Sequence, residues 1–231
     1  MRLPKLQGRR RLVVPGVLVA GLLVLTGCSQ DPSTAAQVGS GTISTQDVDL
    51  MSQALCVAHG EARKQQQGLT PIPVSVVHEQ ALQDLINTRL DQMLAKRQHI
   101  PANNAGVTQQ LQRLNPLFRK LPAADRARTR VLLGNLLRGE GQIQQFGAAY
   151  LQSAGQRPNA QSAMKAGQAQ RSAFAKQVDV TLNPRYDVQG VGHTTNAQSL
   201  SKPVSSFAKG ATAATPNPQW AAQLPSNQKC G

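Results

Sequence analysis

The chain has 231 residues, with 25 Lys and Arg against 11 Asp and Glu and a formal net charge of +14. It is 40% hydrophobic but only 3% aromatic, so any core must be built mainly from Ala, Leu and Val. Three Cys exclude a disulfide-dense miniprotein, the absence of a Gly repeat excludes collagen, and one bilayer-compatible stretch excludes a multi-span membrane protein.

That stretch opens the chain. Arg2, Lys5, Arg9, Arg10 and Arg11 form a basic segment, followed by an apolar run from Leu12 to Leu25. The run is shorter than the roughly 20 residues of a membrane span and suits the apolar part of a signal peptide. Leu25-Thr26-Gly27-Cys28 resembles a bacterial lipobox, in which the Cys28 sulfur receives diacylglycerol and the chain is cut before it. Residues 1–27 are therefore expected to be a lipoprotein signal peptide and 28–34 a polar tether. Arg9-Arg10 suits a twin-Arg signal and an ordinary secretion signal alike. The expected location is the outer face of the cell membrane, where nucleic acid is no partner. After cleavage the net charge is +9, with a sum of −2 over residues 28–100 and +11 over 101–231. Such a surface suits anionic lipid or envelope polymers, or simple solvation.

Ala35 to Ser44 reads as a hairpin turning at Gly39 and Gly41. Ser44 caps a helix carrying Val48, Met51, Leu55, Ala58 and Ala62 on one face and running to about Gln66. Gly68 to Pro73 breaks the chain, and Ser75 opens a helix to about Arg97 with a wide stripe of Leu, Ile and Met. A shorter helix is expected from Gly106 to Leu114, bounded by Asn115-Pro116. Another begins near Pro122 and bends or breaks at Gly139-Glu140-Gly141. Helical spacing resumes at Ile143, Phe146 and Tyr150, and Asn159 caps an Ala-rich helix to about Lys176. Val178 to Leu182 alternates as a strand, and a lone hairpin is marginal in water, so this late strand should join it. Residues 190–231 read as extended or disordered chain, with Trp220 and Leu224 as candidates for docking. The expected fold is mainly α, with a small β element formed by the hairpin and the closing strand over residues 35–189.

Two segments carry a family resemblance. Ala36-Gln37-Val38-Gly39-Ser40-Gly41-Thr42-Ile43-Ser44 before a helix, and Val178 to Leu182 before Asn183-Pro184-Arg185-Tyr186, resemble the ends of the SurA/PrsA-type chaperone domain. The chain is most similar to the SurA-N-like lipoproteins of actinobacteria, over roughly residues 35–187. The resemblance implies an ATP-independent holdase whose partners are unfolded or extended exported polypeptides. Larger relatives carry a parvulin-type prolyl isomerase domain of domain-scale length. No segment here corresponds to it, so isomerase activity is the weakest of three classes, behind the holdase and a basic envelope-polymer or lipid binder.

A client groove is expected from Leu117, Phe118, Leu121, Phe146 and Tyr150, for each of which core packing is the competing role. Its rim would hold Arg113, Arg119, Lys120, Arg126, Arg128 and Arg130. His59, His78, His99 and His193 show no metal spacing, and no nucleophile motif or paired carboxylate marks an enzyme. No cofactor, metal or catalytic residue is assigned. Cys56 and Cys230 remain after lipidation. In an exported protein they suggest a disulfide pinning the tail, the other reading being a buried Cys56 and a free terminal thiol.

Overall fold

The computed structural model describes residues 31–66, 68–186, 193–194, 205–210 and 217–231; the signal segment, Cys28 and the start of the tether lie outside them. The hairpin forms as expected, with β1 (Thr34–Val38) and β2 (Gly41–Ser44) antiparallel. Gly39 turns it at a φ of +56°, a left-handed conformation that a side chain disfavours. Ser44 then accepts a hydrogen bond from the Asp47 amide at 3.0 Å and starts α1 (Thr45–Gln65). A short strand β3 (Ile72–Pro73) occupies the break, and α2 (Val74–Arg97) follows. Its apolar stripe is buried from Val77 through Leu82, Ile86 and Leu90 to Leu94. Each such side chain contributes roughly 1.5–3 kcal/mol.

Helical boundaries differ from the sequence reading in three places, one being the helix expected to begin near Pro122, which starts at Arg126. Asn115-Pro116 does end α3 (Asn104–Arg113), but it also opens α4 (Asn115–Lys120). Proline is tolerated in a first turn, where its missing N–H would have no helical partner. The helix expected to break at Gly139-Glu140-Gly141 is one unbroken α5 (Arg126–Ser153). Gly139 lies against α2: a Cβ there would stand 3.2 Å from that of Asp91. Its lack of a side chain serves a close helix crossing, and the packing outweighs a helix penalty of about 1 kcal/mol per glycine. Next, Asn159 and Ser162 cap α6 (Ala160–Ala175) reciprocally, each side chain accepting from the other's amide.

The chain returns through β4 (Asp179–Leu182), which lies antiparallel to β1 with Ala36 opposite Leu182 and Val38 opposite Val180. The sheet order is β2-β1-β4-β5, where β5 (His193–Thr194) runs parallel to β4. Asn183 locks the join: its amide donates to the Thr34 carbonyl at 2.8 Å, and its backbone N–H to Ala35 at 2.9 Å. The fold is thus mainly α with a small β element. The main core gathers β1, β2, β4, α1 and α2 around Val38, Met51, Leu82, Ile86 and Val180.

The tail departs from the expected extended chain. After α7 (Ser206–Lys209), residues 217–231 form α8 (Pro218–Gln223), a 3-10 turn (Ser226–Gln228) and β6 (Lys229–Cys230). β6 pairs antiparallel with β3, Ile72 opposite Cys230. Ala221 and Leu224 are buried, while Trp220 is half-buried and donates its indole N–H to the Phe207 carbonyl at 2.8 Å. Cys56 and Cys230 stand at disulfide distance, with Cα atoms 4.9 Å apart.

Candidate functional site

The second half of α1 is flanked by two cavities. On one side, α1, β3 and α2 enclose about 430 Å³ lined by Leu55, Ala58, Ala62, Ile72, Val76 and Val77, with His59 and Gln80 as polar members. On the other, α1 and the α3–α4 corner enclose about 320 Å³ lined by apolar Leu114, Pro116 and Leu117 and by charged Glu61, Arg113 and Lys120. Ala58 and Ala62 line both, so the cavities meet across two small side chains one helical turn apart.

The size of each space follows from the sequence. α1 keeps its apolar spacing beyond the core residues Met51 and Ala54, but the later positions shrink to Ala. Ala58 and Ala62 are too short to fill the space towards α2 or α4. The C-terminal strap bounds this region: a Cβ on Gly231 would lie 3.1 Å from the His59 ring and 2.5 Å from Arg63 Cδ. The His59 ring is held by the Thr70 carbonyl at 2.9 Å.

Electrostatics differ between the two sides. Glu61 binds Lys120 and, at 2.8 Å, Lys64; these cations, Lys120 foremost, hold its carboxyl down to about 2. Arg113 has no hydrogen-bond or ionic partner among the described residues. One carboxylate and two cations therefore line the second cavity, which is net positive. The first carries no acidic or basic side chain other than His59.

The expected groove residues are brought together only in part. Phe118 and Leu121, each 2% exposed, are buried with Ala54, and half-buried Leu117 packs against the same cluster while also lining the second cavity. Phe118 and Leu121 are core, not groove, because α4 turns that face onto α1. Phe146 is half-buried and Tyr150 is 48% exposed on α5; neither lines a cavity beside α1.

The basic residues also divide. Arg128 forks onto both oxygens of Asp47, at 2.8 and 2.9 Å, and so ties α5 to the start of α1. Arg126 donates to the carbonyls of Leu121 and Arg119, both at 3.0 Å. Arg130 lies 4.2 Å over the Phe118 ring and donates to Asn115 at 2.8 Å. These three hold α4 and α5 in place. Arg113 and Lys120 alone of the expected rim line a cavity, while Arg119 is exposed elsewhere on α4.

No family model, curated protein or solved structure matches this chain. Among the described residues no three His, Cys, Asp or Glu side chains converge as a metal site, and no helix is long and apolar enough to cross a membrane. Sequence reasoning missed Leu55, Ala58, Ala62, Ile72, Val76 and Val77 as site residues, although it had placed the first three on the apolar face of α1. The available signal was that the stripe continues into alanines past the point where large residues stop.

Proposed function

We propose that the protein is a membrane-tethered, ATP-independent holdase, a SurA-N-like helical module without an isomerase domain, anchored through lipidated Cys28. Extended, apolar segments of exported polypeptides are its clients. The observation that carries this reading is the apolar space of about 430 Å³ between α1 and α2, of a size that accepts side chains and bordered by aliphatic groups. Binding there is weak and reversible, which retards aggregation and still permits release. No catalytic group takes part.

The basic-binder reading draws on the +11 sum over residues 101–231. It is weakened because Arg126, Arg128 and Arg130 are engaged within the fold. Light scattering of an unfolded exported protein tests the proposal. The full chain at several-fold molar excess is expected to suppress aggregation, and Val76→Lys, which places a charge in the cavity, to lose most of that effect at unchanged helicity. Absence of suppression by the full chain, together with salt-sensitive sedimentation with anionic vesicles, would favour the basic binder. Turnover of a proline test peptide would restore the isomerase class.

A further inference from the structure

The two cavities differ in chemistry and meet at Ala58 and Ala62, so a single chain segment lying across α1 would reach both. Rounded spaces of about 430 and 320 Å³ are each roughly 9 Å across, so the centres of two that adjoin lie roughly 9 Å apart. An extended peptide advances about 3.3 Å per residue, so about three residues separate a side chain in one cavity from a side chain in the other. The first cavity offers aliphatic walls from Leu55, Ile72, Val76 and Val77. The second is lined by apolar Leu114 and Leu117 together with Arg113, a cation without an ionic partner among the described residues, and Lys120, shared with Glu61.

We infer that the trough across α1 selects extended segments in which a large apolar residue is followed or preceded, three positions away, by Asp or Glu. This rests on the holdase reading and narrows its clients to a chemical class. The aliphatic cavity takes the apolar side chain by burial, and Arg113 and Lys120 take the carboxylate. A charge contact at an open rim adds little affinity but discriminates against the wrong sign, because a Lys in that place would face a net positive cavity. Neutral chain between the two anchors crosses Ala58 and Ala62, where no larger side chain obstructs it.

Fluorescence anisotropy of labelled, unstructured twelve-residue peptides with the purified full chain in detergent tests this. The reference peptide carries Leu and, three positions on, Asp, in a Ser/Gly/Gln background. Replacing Asp by Lys is expected to weaken binding about five-fold or more at low salt, and moving Asp next to Leu to cost most of the same gain. The preference should shrink to under two-fold at 0.5 M salt. In an Arg113→Gln/Lys120→Gln variant, whose fold is checked by circular dichroism and melting, the preference for Asp should vanish or reverse towards Lys, because Glu61 is then the only charged group lining that cavity, while Leu remains required. Leu-dependent binding that ignores the acidic residue overturns the inference and leaves the holdase reading standing. Binding of no peptide, with no suppression of aggregation, overturns both. A preference for Asp that survives the double variant overturns the assignment of the cations.

Discussion

Asp91 is the residue whose setting departs furthest from its chemistry. It is 1% exposed on α2, opposite Gly139 of α5, with Arg171 of α6 at 3.2 Å. Burial pushes its carboxyl up to about 6; Arg171 opposes the rise, and the charge of Glu140 adds to it. Burial raises Asp84 and Glu140 as well, with Gln80 and Arg171 opposing at the first and Arg171 at the second. A carboxyl whose folded pKa lies above its unfolded value binds its proton more tightly in the native state. The stability it contributes is complete below about pH 4 and is lost as pH rises through about 6. Melting temperature should therefore fall between pH 4.5 and 7, by the equivalent of a few kcal/mol at most. Asp91→Asn should flatten that slope, since the amide still accepts from Arg171 and does not titrate. An unaltered slope in this variant would assign the effect to other carboxyls.

At the scale of elements, α5 and α6 meet through glycine. A Cβ on Gly147 would lie 1.8 Å from the Ala163 carbonyl oxygen, and one on Gly167 would lie 2.1 Å from that of Ile143. Both obstacles are backbone, so neither can swing aside and the helices themselves would have to part. Gly147→Ala should therefore destabilise by about 3 kcal/mol or more, at the upper end of overpacking costs. Gly141, in the same helix, has open space where its Cβ would be. There alanine should stabilise by up to about 1 kcal/mol through helix propensity alone. Urea denaturation of the two variants checks both signs, and a destabilising Gly141→Ala would show that α5 is not continuous at that point.

For the whole molecule, closure is non-local. β4 meets β1 about 140 residues along the chain, and Val180, fully buried at 0% exposure, faces the core at that join. Val180→Asp would bury a charge without a partner and should cost several kcal/mol of a total near 5–15. Thermal unfolding monitored by circular dichroism should show a large loss of cooperativity; a transition within a degree of the parent would mean that the sheet does not hold the domain closed. The C-terminal strap makes a second, separable contribution. Reduction of Cys56–Cys230 removes a cross-link between residues 174 apart, whereas truncation after Gly190 also removes the burial of Ala221 and Leu224 and the β3–β6 pair. Truncation should therefore lower the melting temperature further than dithiothreitol does. Equal losses would mean that the cross-link, not the packing of the strap, supplies the stability.

Local chemistry was legible in the amino-acid order. Gly39 turns the hairpin, Ser44 and Asn159 cap α1 and α6, and the alternation of Val178 to Leu182 marks the strand that closes on β1. Each depends on residues within a few positions of one another, or on a period that a single element carries by itself. Tertiary structure decided what covers each face. Periodicity identifies Phe118 and Leu121 as apolar but says nothing of α1 lying over them, and charge counting cannot separate Arg128, forked onto Asp47, from an open Arg113. Gly139-Glu140-Gly141 reads as a break because intrinsic propensity is all a linear segment displays; against α2 the same glycine permits close contact. The trough at Ala58 and Ala62 is likewise a joint property of α1, α2, β3 and the α3–α4 corner, since a small side chain makes a cavity only where its neighbours stop short of filling it.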